Sequence, residues 1–116
     1  PLVGTVWSLD SLITGTGDDG AVSSVPEGVE ATLTLQQDGT FHAQTGCNTA
    51  NGTATVADST ITFEAPRVTR MACASDDANA VEQAVLAVLD GEATYEAAEG
   101  RLTLTNGDRG LGFTPA

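Results

Sequence analysis

Lysine is absent from this 116-residue chain. The basic residues are the arginines Arg67, Arg70, Arg101 and Arg109, set against sixteen acids, for a formal net charge of −12. A field of that sign repels phosphate backbones and anionic headgroups, so nucleic acid and membrane surfaces are excluded as expected partners. The plain reading of the charge is solubility, as would suit a salty or extracellular setting. A surface for cations or for a basic protein is the functional alternative. Aromatic residues are scarce: Trp7, Phe41, Phe63, Tyr95 and Phe113. The core must therefore be built mainly from Val, Leu, Ile and Ala. No apolar run approaches the roughly 18 residues of a membrane helix. Direct membrane insertion by this segment is not expected, although a lipid anchor outside it is compatible with the sequence. No signal-peptide pattern precedes the strand-like "PLVGTVW", which is silent about compartment.

What is present is a β-rich pattern within the length of one domain, residues 1–116. Thr5 to Leu12 reads as a first strand whose alternation breaks around Asp10. Residues 14–28 read as loop, rich in Gly, Ser and Asp, with Pro26 against a central strand. "VEATLTLQ" alternates strictly, with Val29, Ala31, Leu33 and Leu35 on one face. Asp38-Gly39 is a hairpin signal. The return strand "FHAQTGC" puts Phe41, Ala43, Thr45 and Cys47 on one face. "NTANG" reads as loop, "TATV" and "TITFE" as strands, and "APRVTRMACAS" as irregular, interrupted by Pro66. One helix is expected over about residues 76–90. Ser75 is its N-cap, Asp76 and Asp77 sit at its positive end, and Gly91 stops it. Ala78, Val81, Val85, Val88 and Leu89 form its apolar stripe. Three strands follow, separated by turns at Glu99-Gly100 and Asn106-Gly107-Asp108. Seven or eight short antiparallel strands with one helix predict a mainly β fold: a small, strongly curved barrel or half-barrel meander. Closure would remove its exposed edge.

The chemical candidates are few. A nucleophilic Cys47 would need a base to form thiolate. The single histidine, His42, lies at an odd offset on the same strand and so points to the opposite face. Structural zinc ordinarily needs four Cys or His ligands in close pairs, and two cysteines with one histidine do not supply them. "GDDG", Gly17 to Gly20, is too short for a calcium loop. No metal or cofactor is expected. A Cys47–Cys73 bridge remains, closing a loop of about 27 residues and contributing about 3.5 kcal/mol on the chain-entropy model. Two buried free thiols are the alternative. A bridge would imply an oxidising compartment. Asn51-Gly52-Thr53 fits the glycosylation acceptor pattern, a short match that matters only in a eukaryotic secretory pathway. Trp7 reads as a core anchor and His42 as an exposed strand residue.

The ordered segments "GTVWSLDSL", "TLTLQQDGTFHAQTGCNTANGTATV", "ITFEAPRVTRMACAS" and "VEQAVLAVLDGEATYEAAEGRLTLT", then "LGF", resemble the META domain, the HslJ-like family. The resemblance runs from Val3 to Phe113. It rests most on Trp7 and Leu9, on Gly46-Cys47-Asn48 with Gly52, and on Thr69 to Cys73 with Met71. Ala54 departs from it, standing where relatives often carry tyrosine. The resemblance implies a small β-barrel with one helix, often in secreted proteins or lipoproteins of bacteria, and a heat-shock, stress or envelope role. It brings no catalytic residues. The match at Cys47 and Cys73 fits a structural pairing.

The expected function is accordingly a non-enzymatic, extracytoplasmic and monomeric module that binds an unidentified protein or small ligand. An accessory domain of a larger secreted protein, without a ligand of its own, is the alternative. An extracellular inhibitor or hydrolase is the third reading, and the enzyme version lacks bases and nucleophile partners.

Overall fold

The computed structural model describes residues 2–14 and 21–116. The "GDDG" loop acids lie outside the described residues. Nine strands and one helix run in the order β1 (Val6–Thr14), β2 (Ala21–Ser24), β3 (Ala31–Leu35), β4 (Thr40–Thr45), β5 (Thr49–Val56), β6 (Thr60–Val68), α1 (Asp76–Val88), β7 (Gly91–Ala98), β8 (Arg101–Asn106) and β9 (Arg109–Pro115). Every pairing is antiparallel, and β1 pairs with β9 as well as β3. Eight strands, β1 and β3 to β9, thus close into a barrel.

The alternating pattern fills this barrel. Leu33, Leu35, Phe41, Ala43, Ile61, Leu102, Leu104, Leu111 and Phe113 are each at most 1 % exposed. Phe41 and Phe63 meet edge-on with centroids 5.1 Å apart, a geometry aromatic quadrupoles favour. Trp7 is a core anchor as expected, and its ring N–H donates to the Leu2 carbonyl at 3.0 Å. The outward positions are polar: Thr32 and Thr34 on β3, His42 and Gln44 on β4.

Strand β1 serves two neighbours along one edge. Val6 to Ser8 pair with β3, and Ser11 to Thr14 pair with β2. The break expected at Asp10 is a register shift against β9 between Leu9 and Ser11. Asp10 turns out of the ladder there and takes a two-pronged ion pair from Arg101, at 2.9 and 3.0 Å. Gly112 leaves the room, since a Cβ there would collide with Ser11 Oγ and stand 3.3 Å from Arg101 Nη2.

Three expectations need correction. The 14–28 segment is not all loop, because Ala21–Ser24 forms β2 on the rim half of β1. All four of its residues are exposed, so no inward-facing apolar set marks it in the sequence. "NTANG" is not loop throughout, since β5 begins at Thr49. Gly52 is there for closeness: a Cβ would meet Glu64 O at 2.7 Å and Phe41 Cε1 at 2.8 Å. Finally, β6 continues through Pro66 to Val68. Its pairing with β7 covers only Thr60 to Phe63, and its register with β5 shifts between Asn51 and Thr53. Pro66 sits beside this bulge and beyond the reach of β7, where a missing N–H breaks no ladder.

Helix α1 follows the sequence closely. Ser75 Oγ accepts from the Ala78 N–H at 3.1 Å as the N-cap. Ala78, Val81, Val85 and Val88 are buried, with Leu89 just beyond. The helix packs on β4, β8 and β9. The end of β4, the end of β8 and the start of β9 share one end of an antiparallel barrel, and α1 closes that end. Asn106, at the tip of β8, donates to the Val88 and Asp90 carbonyls at 3.2 and 2.8 Å, satisfying acceptors that a helix C-terminus leaves open.

Candidate functional site

The helix end of the barrel carries a polar cluster in which a loop meets a strap and the helix that follows it, more than twenty residues further along the chain. These are the β4–β5 loop at residues 46–48, the strap 69–75 between β6 and α1, and the first half of α1. The loop can approach the helix because residue 46 is glycine. Its φ is +110°, and a Cβ would stand 3.2 Å from Ala78 O and from Val81 Cγ1. The next residue, Cys47, is bonded to Cys73 of the strap, with Cα atoms 5.5 Å apart. The open choice between a bridge and two free thiols is settled for the bridge. Cys47 lies past the end of β4, at the rim, half-buried, whereas Phe41, Ala43 and Thr45 point inward.

Asn48 is the hub. It is 5 % exposed, and its side chain has four partners of good geometry. Its Oδ1 accepts from the Met71 N–H at 2.7 Å and the Thr69 hydroxyl at 2.8 Å. Its Nδ2 donates to the Met71 carbonyl at 3.1 Å and to Glu82 Oε2 at 3.0 Å. An Asn amide offers two donors and an acceptor with two lone pairs, so this one is saturated. Thr69 adds backbone register: its N–H donates to the Thr49 carbonyl at 3.0 Å, and its Oγ1 accepts from the Thr49 N–H at 3.1 Å.

Glu82 enters from α1. Its Oε1 accepts from the Asn48 N–H at 2.9 Å and lies 2.6 Å from the hydroxyl of Thr45, which is fully buried. Its Oε2 lies 3.6 Å from both Cys47 Sγ and Cys73 Sγ. Disulfide sulfurs carry no hydrogen, so these two are van der Waals contacts rather than hydrogen bonds. No buried side-chain polar atom among the described residues lacks a partner.

The residues expected to matter therefore divide. Gly46, Cys47, Asn48, Thr69, Met71 and Cys73 come together in this cluster. Trp7 and Leu9 lie in the core, and Gly52 packs β5 against β6. Met71 contributes its backbone, while its side chain is 64 % exposed. His42 stands on the outer wall, away from Cys47, and its Nδ1 lies 2.7 Å from Asn51 Oδ1. Asn51 itself is a strand residue. Sequence reasoning missed Glu82, one acid among sixteen. The signal that could have found it is its place four residues after Ala78 and one after Val81, against the apolar stripe, where a carboxylate needs partners.

A META domain model matches residues 1–116, the whole chain. The chain belongs to the META domain family. Two solved structures share its fold. An NMR structure of a protein from Burkholderia xenovorans is 26 % identical, with a TM-score of 0.77, covering 99 % of this chain and 83 % of that one. A second NMR structure is 17 % identical, with a TM-score of 0.66, covering 91 % of this chain and 88 % of the other, and supports the fold alone. No curated protein matches. The META domain seen here is a closed, filled barrel, capped by a helix and pinned by one disulfide. That bridge is compatible with an extracytoplasmic location.

Proposed function

We propose that this META domain is a non-enzymatic, extracytoplasmic module that acts by binding a protein partner on its outer wall, in an envelope or stress setting. The observation that carries this reading is the filled lumen. A small-ligand carrier of this size would keep an apolar cavity open. Here the interior is occupied by side chains, and the surface grooves are shallow, about 170 to 400 Å³. The outward-facing strand positions are rich in Thr, Gln and Glu, and the net charge is −12, so a partner with a basic surface is favoured electrostatically. The same polar exterior is the reverse of a membrane-spanning barrel. The cluster at the helix end supports a structural role, since Asn48 and Glu82 spend their hydrogen bonds on the protein itself.

The accessory-domain reading also draws on the filled lumen, together with the lack of a clear apolar docking face among the described residues. The large exposed apolar side chains among the described residues, Val6, Val22, Val56 and Met71, belong to β1, β2, β5 and the strap before α1. A titration separates the two. A lysine-rich peptide is added to the ¹⁵N-labelled domain at physiological salt. Saturable shifts confined to one wall support a binding surface. Weak shifts spread evenly, or none, favour the accessory role. For the location, thiol alkylation under denaturing, non-reducing conditions is read by intact mass on protein taken from its native compartment. No alkylation is expected; two alkylated cysteines would remove the extracytoplasmic reading.

A further inference from the structure

The cluster at the helix end has the makings of a metal site that the disulfide keeps closed. Cys47 Sγ, Cys73 Sγ and a Glu82 carboxylate oxygen all lie within 4.8 Å of one another, and all three residues are half-buried. Both sulfurs are 3.6 Å from Glu82 Oε2. A tetrahedral zinc with bonds of about 2.3 Å to sulfur and about 2.0 Å to oxygen separates those ligand atoms by roughly 3.5 Å. The sulfur-to-oxygen edges of such a tetrahedron are thus already set, and only the two sulfurs must part.

The carboxylate is also held as a metal ligand would be. Its Oε1 is fixed by the Asn48 N–H and faces the Thr45 hydroxyl, and its Oε2 takes one bond from Asn48 Nδ2. One lone pair of Oε2 is left toward the sulfurs. Outer partners of this kind orient ligating carboxylates. A groove of about 170 Å³, lined by Glu30, Gln44, Gly46, Cys47, Asn48 and Thr49, reaches the Cys47 side of the bridge, and Glu30 adds negative charge to its lining.

We propose that reduction of Cys47–Cys73 by a dithiol creates a site for one divalent ion of the zinc class, ligated by both sulfurs and Glu82 Oε2, with water in the fourth position. The chemistry balances. The dithiol gives up two electrons and two protons and becomes a disulfide, while the Cys47–Cys73 bond breaks to two thiols. Metal binding then releases both thiol protons. Two thiolates, the Glu82 carboxylate and the dication leave a single net negative charge. The sequence hides this site because its third ligand is 35 residues from Cys47 and is an acid.

The test uses the whole chain, reduced anaerobically with a phosphine that does not itself supply thiolates. Reduction is counted by alkylation, and folding is followed in the ¹⁵N spectrum. Cobalt(II) is the probe, because thiolate coordination gives a near-ultraviolet charge-transfer band and a tetrahedral site gives visible bands. One equivalent is expected to bind, with both features, and zinc is expected to displace it. The oxidised chain is expected to show neither. Glu82→Gln is expected to weaken binding at least about tenfold while leaving two thiolates on the metal. A reduced, folded chain without the thiolate band would overturn the site. Equal affinity in Glu82→Gln would overturn the three-ligand assignment. If reduction unfolds the chain, cobalt must restore the native spectrum; failure to do so counts against the proposal as well.

Discussion

Asn48 shows how much of this fold can depend on a single side chain. It joins a β-loop to a strap 23 residues on and to a helix residue 34 residues on. Alanine at this position would leave the Met71 N–H and carbonyl, and one lone pair of Glu82, without their protein partners in a half-dry site. Each buried polar group so stranded costs about 1–3 kcal/mol, so Asn48→Ala should destabilise by about 2–4 kcal/mol in denaturant melts. A loss below about 0.5 kcal/mol would mean that water replaces the amide freely. Asp38 tests a smaller effect. The Thr40 hydroxyl, and then the Thr40 N–H, hold its carboxyl below the usual aspartate value of 3.8. A depressed carboxylate contributes stability above its unfolded pKa and loses it as pH falls through the lower folded value. Carbon-detected NMR titration should find Asp38 titrating below 3.8 and Thr40→Ala should move it back up. An unchanged Asp38 in that variant would assign the shift elsewhere.

At the level of elements, local signals worked where one residue type answers one physical need. The helix could be placed because Ser75, two acids and a 3.6-residue stripe all mark the same turn. Ser75→Ala removes an N-cap bond of 3.1 Å and should cost about 1 kcal/mol, with Ser75→Asp close to neutral. Equal stability of all three would show that the strap, through Cys73, sets the helix start by itself. The hairpin glycines were legible for a similar reason: Gly39, Gly100 and Gly107 have φ of +87°, +75° and +64°, which other residues avoid. Legibility failed where the cause is tertiary. Pro66 reads as a breaker until β7 is seen to end its pairing at Phe63. Gly52 reads as a loop residue until Phe41 and Glu64 are seen to press on it. β2 has no buried face, so alternation carries no signal there. The site split along the same line: Cys47, Asn48 and Cys73 stood out through family likeness, while Glu82 is set apart from the other acids only by which residues the fold brings to it.

For the molecule as a whole, charge is the property most exposed to test. The chain carries sixteen acids against four arginines, and its body measures 36 × 35 × 24 Å. One ion pair, Arg101–Asp10, forms among the described residues, and both of its side chains are well exposed. Its own contribution is at most about 1 kcal/mol. The remaining acids therefore act mainly on one another. At 0.01 M salt the screening length is about 30 Å, comparable to the molecule, so charges on opposite walls still repel. At 0.15 M it is about 8 Å, and only neighbours interact. Unfolding relieves the repulsion by spreading the chain, so low salt should favour the unfolded state. Raising sodium chloride from about 0.01 to 0.15 M at pH 7 should lift the Tm by several degrees, in a span where the Hofmeister effects of chloride are small. Lowering the pH toward 5 at low salt should do less, because ordinary carboxylates stay ionised there. A Tm that stays flat with salt would mean that the acids are spaced widely enough on the barrel to be independent, and that the charge shapes encounters with partners without straining the fold.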